Sequence, residues 1–114
     1  MYFHSKNDLP SKEVLPGIIL RSVYLENTMM TFFDLQPGSR IPPHKHHHEQ
    51  ISYVVKGSLT MTVGGETKTM SEGDIAVVPA DVEHAAEVGD QKTFALDAWH
   101  PIRDDYVLDK RDTQ

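Results

Sequence analysis

Four of the chain's seven histidines fall within five residues, in the run Pro43-His44-Lys45-His46-His47-His48-Glu49-Gln50. Neutral imidazoles are ligands for borderline divalent metals. Successive side chains of a strand alternate between its two faces. If the run enters a strand, His44, His46, His48 and Gln50 share one face, and Lys45 and His47 take the other. Two histidines at i and i+2 can then aim ring nitrogens at one point, and Gln50 can offer an amide oxygen to it. A further histidine, His84, ends the stretch Pro79-Ala80-Asp81-Val82-Glu83-His84, which follows the apolar Ile75-Ala76-Val77-Val78. A neighbouring strand can bring it opposite. Three imidazoles and one oxygen suit Fe, Ni, Zn, Cu or Mn. Taken alone, the run reads equally as a solvated polar turn. It is not a remnant of a purification tag, being short, internal and interrupted by Lys45. His4 and His100 are read as ordinary histidines.

The elements that must position these groups read as short strands. Ile18 to Glu26 and Thr28 to Leu35 are rich in apolar and β-branched residues, and the second closes on the turn signature Gln36-Pro37-Gly38-Ser39. Gln50 to Gly57 and Ser58 to Gly65 flank Gly57. In the second, Leu59, Met61 and Val63 alternate with Thr60 and Thr62, the pattern of a half-buried strand. Gly64-Gly65 suits a two-residue hairpin loop. A turn at Gly73-Asp74, an apolar strand, a break at Pro79 and another short strand follow. Lys92 to Trp99 is a final strand, stopped by Pro101. Roughly eight strands with almost no helix predict an antiparallel sandwich or small barrel, whose interior can hold a small ligand. Ala95, Asp97 and Trp99 share one face, which points inward if Trp99 does. Tyr53 is read as a core residue with a second role open to it in lining a cavity.

With 114 residues, the chain is read as one domain. Its 39% hydrophobic and 25% charged residues are ordinary for a globular protein. A net charge of −6 argues against a nucleic-acid partner, since phosphate backbones attract basic faces. Without cysteine there is neither a disulfide nor a thiolate metal site. No apolar stretch reads as a signal peptide or membrane span, so the expectation is a cytoplasmic protein with no membrane partner. The charged tail from Asp104 is expected to fray at its end.

Two spaced motifs resemble those of the cupins. Gly38-x5-His44-x-His46-x3-Gln50-x6-Gly57 is similar to the first cupin motif, G(X)5HXH(X)3-4E(X)6G. Gly73-x5-Pro79-x-Asp81-x2-His84 is similar to the second, G(X)5PXG(X)2H(X)3N. The resemblance runs from about Thr28 to Trp99. It implies a cupin-type double-stranded β-helix (a jelly-roll barrel), with a barrel core at about 28–99 and a C-terminal extension at 100–114. It also implies one divalent transition metal (Ni, Fe, Zn or Mn) and commonly a homodimer. Gln50 replaces the motif's glutamate, Asp81 its second glycine, and Val88 its asparagine. A neutral glutamine would leave more Lewis acidity on the metal and make oxygenase chemistry a poorer expectation.

Within the cupins, His44 to Glu66 looks like the corresponding stretch of the pectin-degradation (KdgF-type) family, and Leu96 to Leu108 is similar to that family's terminal pattern. Members convert 4,5-unsaturated uronates into linear 4-deoxy-5-keto sugars. Carried over by position, the metal ligands are His44, His46, Gln50 and His84, and the functional aspartate, aromatic and arginine are Asp97, Trp99 and Arg103. Trp99 stands where phenylalanine is usual, His100 where a small residue is commoner, and Ile102 for a second proline. The implied partner is a small anionic sugar. Arg103 offers a planar fork to its carboxylate, Asp97 is the candidate general acid/base, and Trp99 can pack on the apolar sugar face. Arg103 with Asp104 and Asp105 also reads as a plain surface charge cluster, and Trp99 as core packing. Two other functions compete: a metal cupin with different chemistry, a dioxygenase or sugar isomerase, and a non-catalytic small-molecule-binding cupin.

Overall fold

The computed structural model describes residues 2–108. The fraying expected of the tail therefore falls on 109–114, outside the described residues. Ten strands follow one another: β1 (Ser11–Leu15), β2 (Ile18–Tyr24), β3 (Met29–Leu35), β4 (Arg40–His44), β5 (Glu49–Lys56), β6 (Ser58–Val63), β7 (Glu66–Ser71), β8 (Ile75–Val78), β9 (His84–Val88) and β10 (Thr93–His100). One sheet has the order β1-β2-β3-β10-β5-β8 and the other β4-β9-β6-β7. Every pairing is antiparallel. The two sheets enclose one core in a jelly-roll barrel.

The period-2 pattern explains which side chains fill it. Ile18 and Leu20 of β2, Phe33 and Leu35 of β3, Val54 of β5 and Ala95 of β10 point in from the larger sheet. Leu59, Met61, Met70, Ala86 and Val88 answer from the smaller one. The inward face turns polar toward one end of the larger sheet. There Ser22, Thr31, Gln50, Ser52 and Asp97 are buried.

Two strands are additional to the eight expected. β1 is a polar edge strand whose first three residues are exposed. β4 contains Pro42 and Pro43 and lies at the edge of its sheet, where proline's missing N–H costs no ladder bond. The larger sheet thus begins at Ser11 and extends beyond the 28–99 segment. The single alternating strand expected over His44 to Gln50 is not formed. His44 ends β4 in one sheet, Gln50 begins β5 in the other, and residues 45–48 bridge them as a loop. Tyr53 is neither core nor cavity lining, since β5 turns it to the outer face.

The β5–β6 turn packs against the start of β10. Gly57 has φ +91°, and a Cβ there would lie 2.5 Å from Thr93 Oγ1 and 2.8 Å from the Lys92 carbonyl oxygen. The fully buried Thr93 hydroxyl donates to the Ser58 carbonyl at 2.9 Å and accepts from the Ser58 N–H at 3.2 Å. The turn is therefore closed onto the start of β10. Gly57→Ala combines a left-handed φ with a backbone clash, and is expected to cost about 2 kcal/mol or more in a urea unfolding titration.

Candidate metal centre at the barrel mouth

Strand pairing brings distant residues to one end of the barrel. His44 at the end of β4 is opposite His84 at the start of β9. Gln50 and Ser52 of β5 are opposite Trp99 and Asp97 of β10. His46 comes from the 45–48 loop. The backbone N–H of Asp81 donates to the His46 carbonyl at 2.8 Å. That bond ties the loop before β5 to the loop before β9. Asp81 has φ +64°, a left-handed conformation, which accounts for the motif's preference for glycine at this position.

The ligating atoms of His44, His46 and His84 lie within 4.8 Å of one another. Each ring is oriented by the backbone. Nδ1 of His44 is 2.9 Å from the Pro42 carbonyl oxygen, Nδ1 of His84 is 2.9 Å from that of Val82, and Nδ1 of His46 is 3.1 Å from that of His48. A carbonyl only accepts, so each Nδ1 is the donor, and in the neutral ring Nε2 is the nitrogen left with a lone pair for a metal. Burial, followed by the Arg103 guanidinium, holds the His46 imidazole below its ordinary pKa. Burial does the same for His84 against its bond to Val82, with His44, His46 and Arg103 adding to it. Neutral imidazoles with free lone pairs are the form that binds a cation.

Among the described residues, four buried side-chain polar atoms have no hydrogen-bond partner: His46 Nε2, His84 Nε2, Gln50 Oε1 and His48 Nδ1. Buried polar atoms are nearly always paired. Three of the four belong to the expected ligand set, and all are in this region. The donors thus fit a divalent cation, with His44, His46, His84 and the Gln50 oxygen available to it. Lys45 and His47 are exposed, as are His4 and His100.

Asp97 is 6% exposed, and burial pushes its carboxyl up to about 7 against hydrogen bonds from Ser52 and Gln50 and the charge of Arg103. Trp99 is buried in the barrel wall, where its indole N–H donates to Thr31 Oγ1 at 2.9 Å. Its ring lies 5.5 Å from that of His46 and 5.7 Å from that of Tyr106, between centroids. Arg103 follows β10 and folds back over the mouth. Its guanidinium stacks 4.0 Å from the Tyr106 centroid and 5.1 Å from that of Trp99, and it pairs with Asp105 through Nε at 3.1 Å and Nη2 at 2.7 Å. Arg103 and Asp105 therefore do form a charge cluster, one that packs on the aromatic rim of the site.

Two contributors were missed from the sequence. Ser52 is two residues beyond Gln50 on the same inward face, so the alternation could have found it. Tyr106 lies in a 3-10 turn (Asp104–Tyr106) and packs on Phe33, with centroids 6.2 Å apart. Its carbonyl accepts from the buried Ser22 hydroxyl at 2.7 Å, a contact no local pattern announces.

A barrel of this topology with a histidine triad at its mouth defines a class, and the chain matches that class by sequence. Residues 31–99 match the family model "Cupin domain", and the chain belongs to that family. It is similar to the pectin degradation protein KdgF of Dickeya dadantii, with 26% identity over 103 residues, covering 89% of this chain and 94% of that protein. The structure of KdgF from Halomonas sp. superimposes with a TM-score of 0.87 at 29% identity, covering 94% of this chain and 99% of that one. An RmlC-like cupin from Shewanella frigidimarina superimposes with a TM-score of 0.88 at 26% identity, covering 94% and 96%. Among the described residues no helix is long and apolar enough to cross a membrane.

Metal uptake should register in stability, because a ligand that binds only the folded state stabilises it by mass action. At about 100 times its dissociation constant the gain is about 2.7 kcal/mol, a rise in Tm on the order of 10 °C. Zinc or nickel added to chelator-treated protein should produce this shift in a thermal melt, and His84→Ala should abolish it.

Proposed function

We propose that this protein is a metal-dependent cupin that opens and ketonises 4,5-unsaturated uronates. One observation carries the reading: the orphaned donors of His46, His84 and Gln50 share the barrel mouth with Asp97, Trp99 and Arg103. Likeness to the two KdgF proteins over most of both chains supports it.

The reaction is an isomerisation in which nothing is oxidised or reduced. The C1 hydroxyl of the hemiacetal loses its proton, the C1–O5 bond breaks, and O5 is protonated to leave a C1 aldehyde and a C5 enol. The enol then gives up its O–H proton while C4 gains one, leaving a C5 ketone. When bound, a divalent cation supplies Lewis acidity that polarises a sugar oxygen. Asp97, with its carboxyl near neutrality, takes up and returns the proton, the property a general acid/base needs at neutral pH. Arg103 engages Asp105 with two of the five N–H donors of its guanidinium, and the rest of the fork binds the uronate carboxylate. Stacking on Tyr106 and Trp99 fixes the plane of that fork before substrate arrives. Trp99 forms the wall of the mouth behind the metal ligands.

Loss of the substrate's conjugated ultraviolet absorbance measures turnover. Metal-loaded protein is expected to accelerate that loss over buffer carrying the same metal, including under anaerobic conditions. Arg103→Ala is expected to raise KM by roughly 10-fold or more, as removal of a charge-assisted pair does, with a smaller change in kcat. No acceleration with any of several metals would end this reading.

The protein is also read as a homodimer. The outer face of the larger sheet exposes Ile51 (51%), Ile75 (61%) and Val77 (64%) on the adjacent strands β5 and β8, beside Tyr53 and Val55. A contiguous exposed apolar patch of this kind marks an interaction surface. A second copy is the occupant proposed for it. Light scattering should give twice the chain mass, and Val77→Asp should return a monomer.

A further inference from the structure

Gln50 is held by a closed ring of three side chains. Its Nε2 donates to Asp97 Oδ2 at 2.9 Å and to Ser52 Oγ at 3.0 Å, and the Ser52 hydroxyl bonds on to the Asp97 carboxylate. Both hydrogens of the amide nitrogen are therefore engaged. The oxygen on the other arm of the amide is buried with no partner. An amide has one donor arm and one acceptor arm of nearly the same shape. An acceptor oxygen on Asp97 therefore decides which arm is left free.

We propose that Asp97, together with Ser52, is a positioning residue that locks the Gln50 amide so that its oxygen, and not its nitrogen, is the free atom. This also accounts for an amide at position 50. A glutamate there would set two carboxyl groups at hydrogen-bond distance in a buried site, where like charges cannot both ionise. The acidic group sits one hydrogen bond behind the ligand position. The inference rests on the metal-binding part of the function proposed above, and is independent of the sugar.

Affinity for zinc tests it, measured by competition with a chelating dye in the absence of any sugar. Asp97→Leu removes the acceptor and is expected to weaken zinc binding by roughly 10- to 100-fold, as loss of a group that orients a ligand does. Asp97→Asn restores an acceptor oxygen without the charge and should bind close to the wild-type value. In a Gln50→Glu background the two ligand oxygens are equivalent and need no orienting. There Asp97→Leu should leave affinity unchanged or improve it. Equal losses from Asp97→Leu in both backgrounds, or a loss in Asp97→Asn matching that in Asp97→Leu, would overturn the proposal in favour of simple support or simple charge. If Asp97→Leu fails to fold, Ser52→Ala takes its place, with a several-fold loss expected in the wild-type background and none beside Gln50→Glu. Wild-type protein that takes up no zinc removes the metal centre and this inference together. Wild-type protein that binds zinc but leaves unsaturated uronates untouched removes the substrate and leaves the inference standing.

Discussion

Three backbone carbonyls, those of Pro42, His48 and Val82, each face the Nδ1 of a histidine ring. The chemistry of the barrel mouth depends on these contacts. A histidine free to rotate would present either nitrogen, and a buried ring without a partner would lose the hydrogen bond that water once gave it. Bonding Nδ1 to the main chain settles tautomer and orientation together, and leaves three lone pairs close in space. The backbone can do this because His44 and His84 are paired across β4 and β9, while His46 sits in a loop fastened to Asp81. The ligand geometry is thus a property of the sheet rather than of the side chains alone.

The same sheets confine the polar groups to one end. Along β10, Ala95, Asp97 and Trp99 all point inward, but only the last two reach the mouth, where Gln50, Ser52 and Thr31 satisfy them. Further down the barrel the inward positions are apolar apart from Thr93, whose hydroxyl is bonded to the Ser58 backbone. A carboxyl buried among those would have no partner and would be strongly disfavoured. Apolar filling below and hydrogen-bonded polar residues above lie on the same inward faces of β5 and β10.

Much of this was legible in the sequence because it rests on period-2 alternation and fixed spacing. The inward face shared by Ala95, Asp97 and Trp99 and the Gly64-Gly65 hairpin follow from such patterns, and the meeting of His44, His46 and His84 agrees with the motif resemblance rather than with the alternation. What was not legible depends on long-range pairing. β4 was not among the strands expected, because Pro42 and Pro43 give no sign that they lie in an edge strand. The alternation drawn from His44 to Gln50 assumed one strand, whereas the chain crosses between sheets there. Tyr53 resembles a core residue in composition, and only the burial of Gln50, Ser52 and Val54 shows that it faces outward. The contact between Ser22 and the Tyr106 carbonyl spans 84 residues and has no local signature.

The segment that follows β10 divides the site between two parts of the chain. His44, His46, Gln50 and His84 all lie within residues 31–99, the stretch shared across the cupin family. Arg103, Tyr106 and the Ser22 hydroxyl that holds the Tyr106 carbonyl lie outside it, at either flank. Arg103 and Tyr106 bracket the opening, joined to the barrel by the Ser22 hydrogen bond, the two aromatic contacts of Tyr106 and the stacking of Arg103 on Trp99. The side chains able to hold a cation thus sit in the shared stretch, while the rim of the opening is supplied by its flanks. Under the proposed function, selectivity among anionic ligands would be set at the chain's margins, outside the stretch that carries the candidate metal donors.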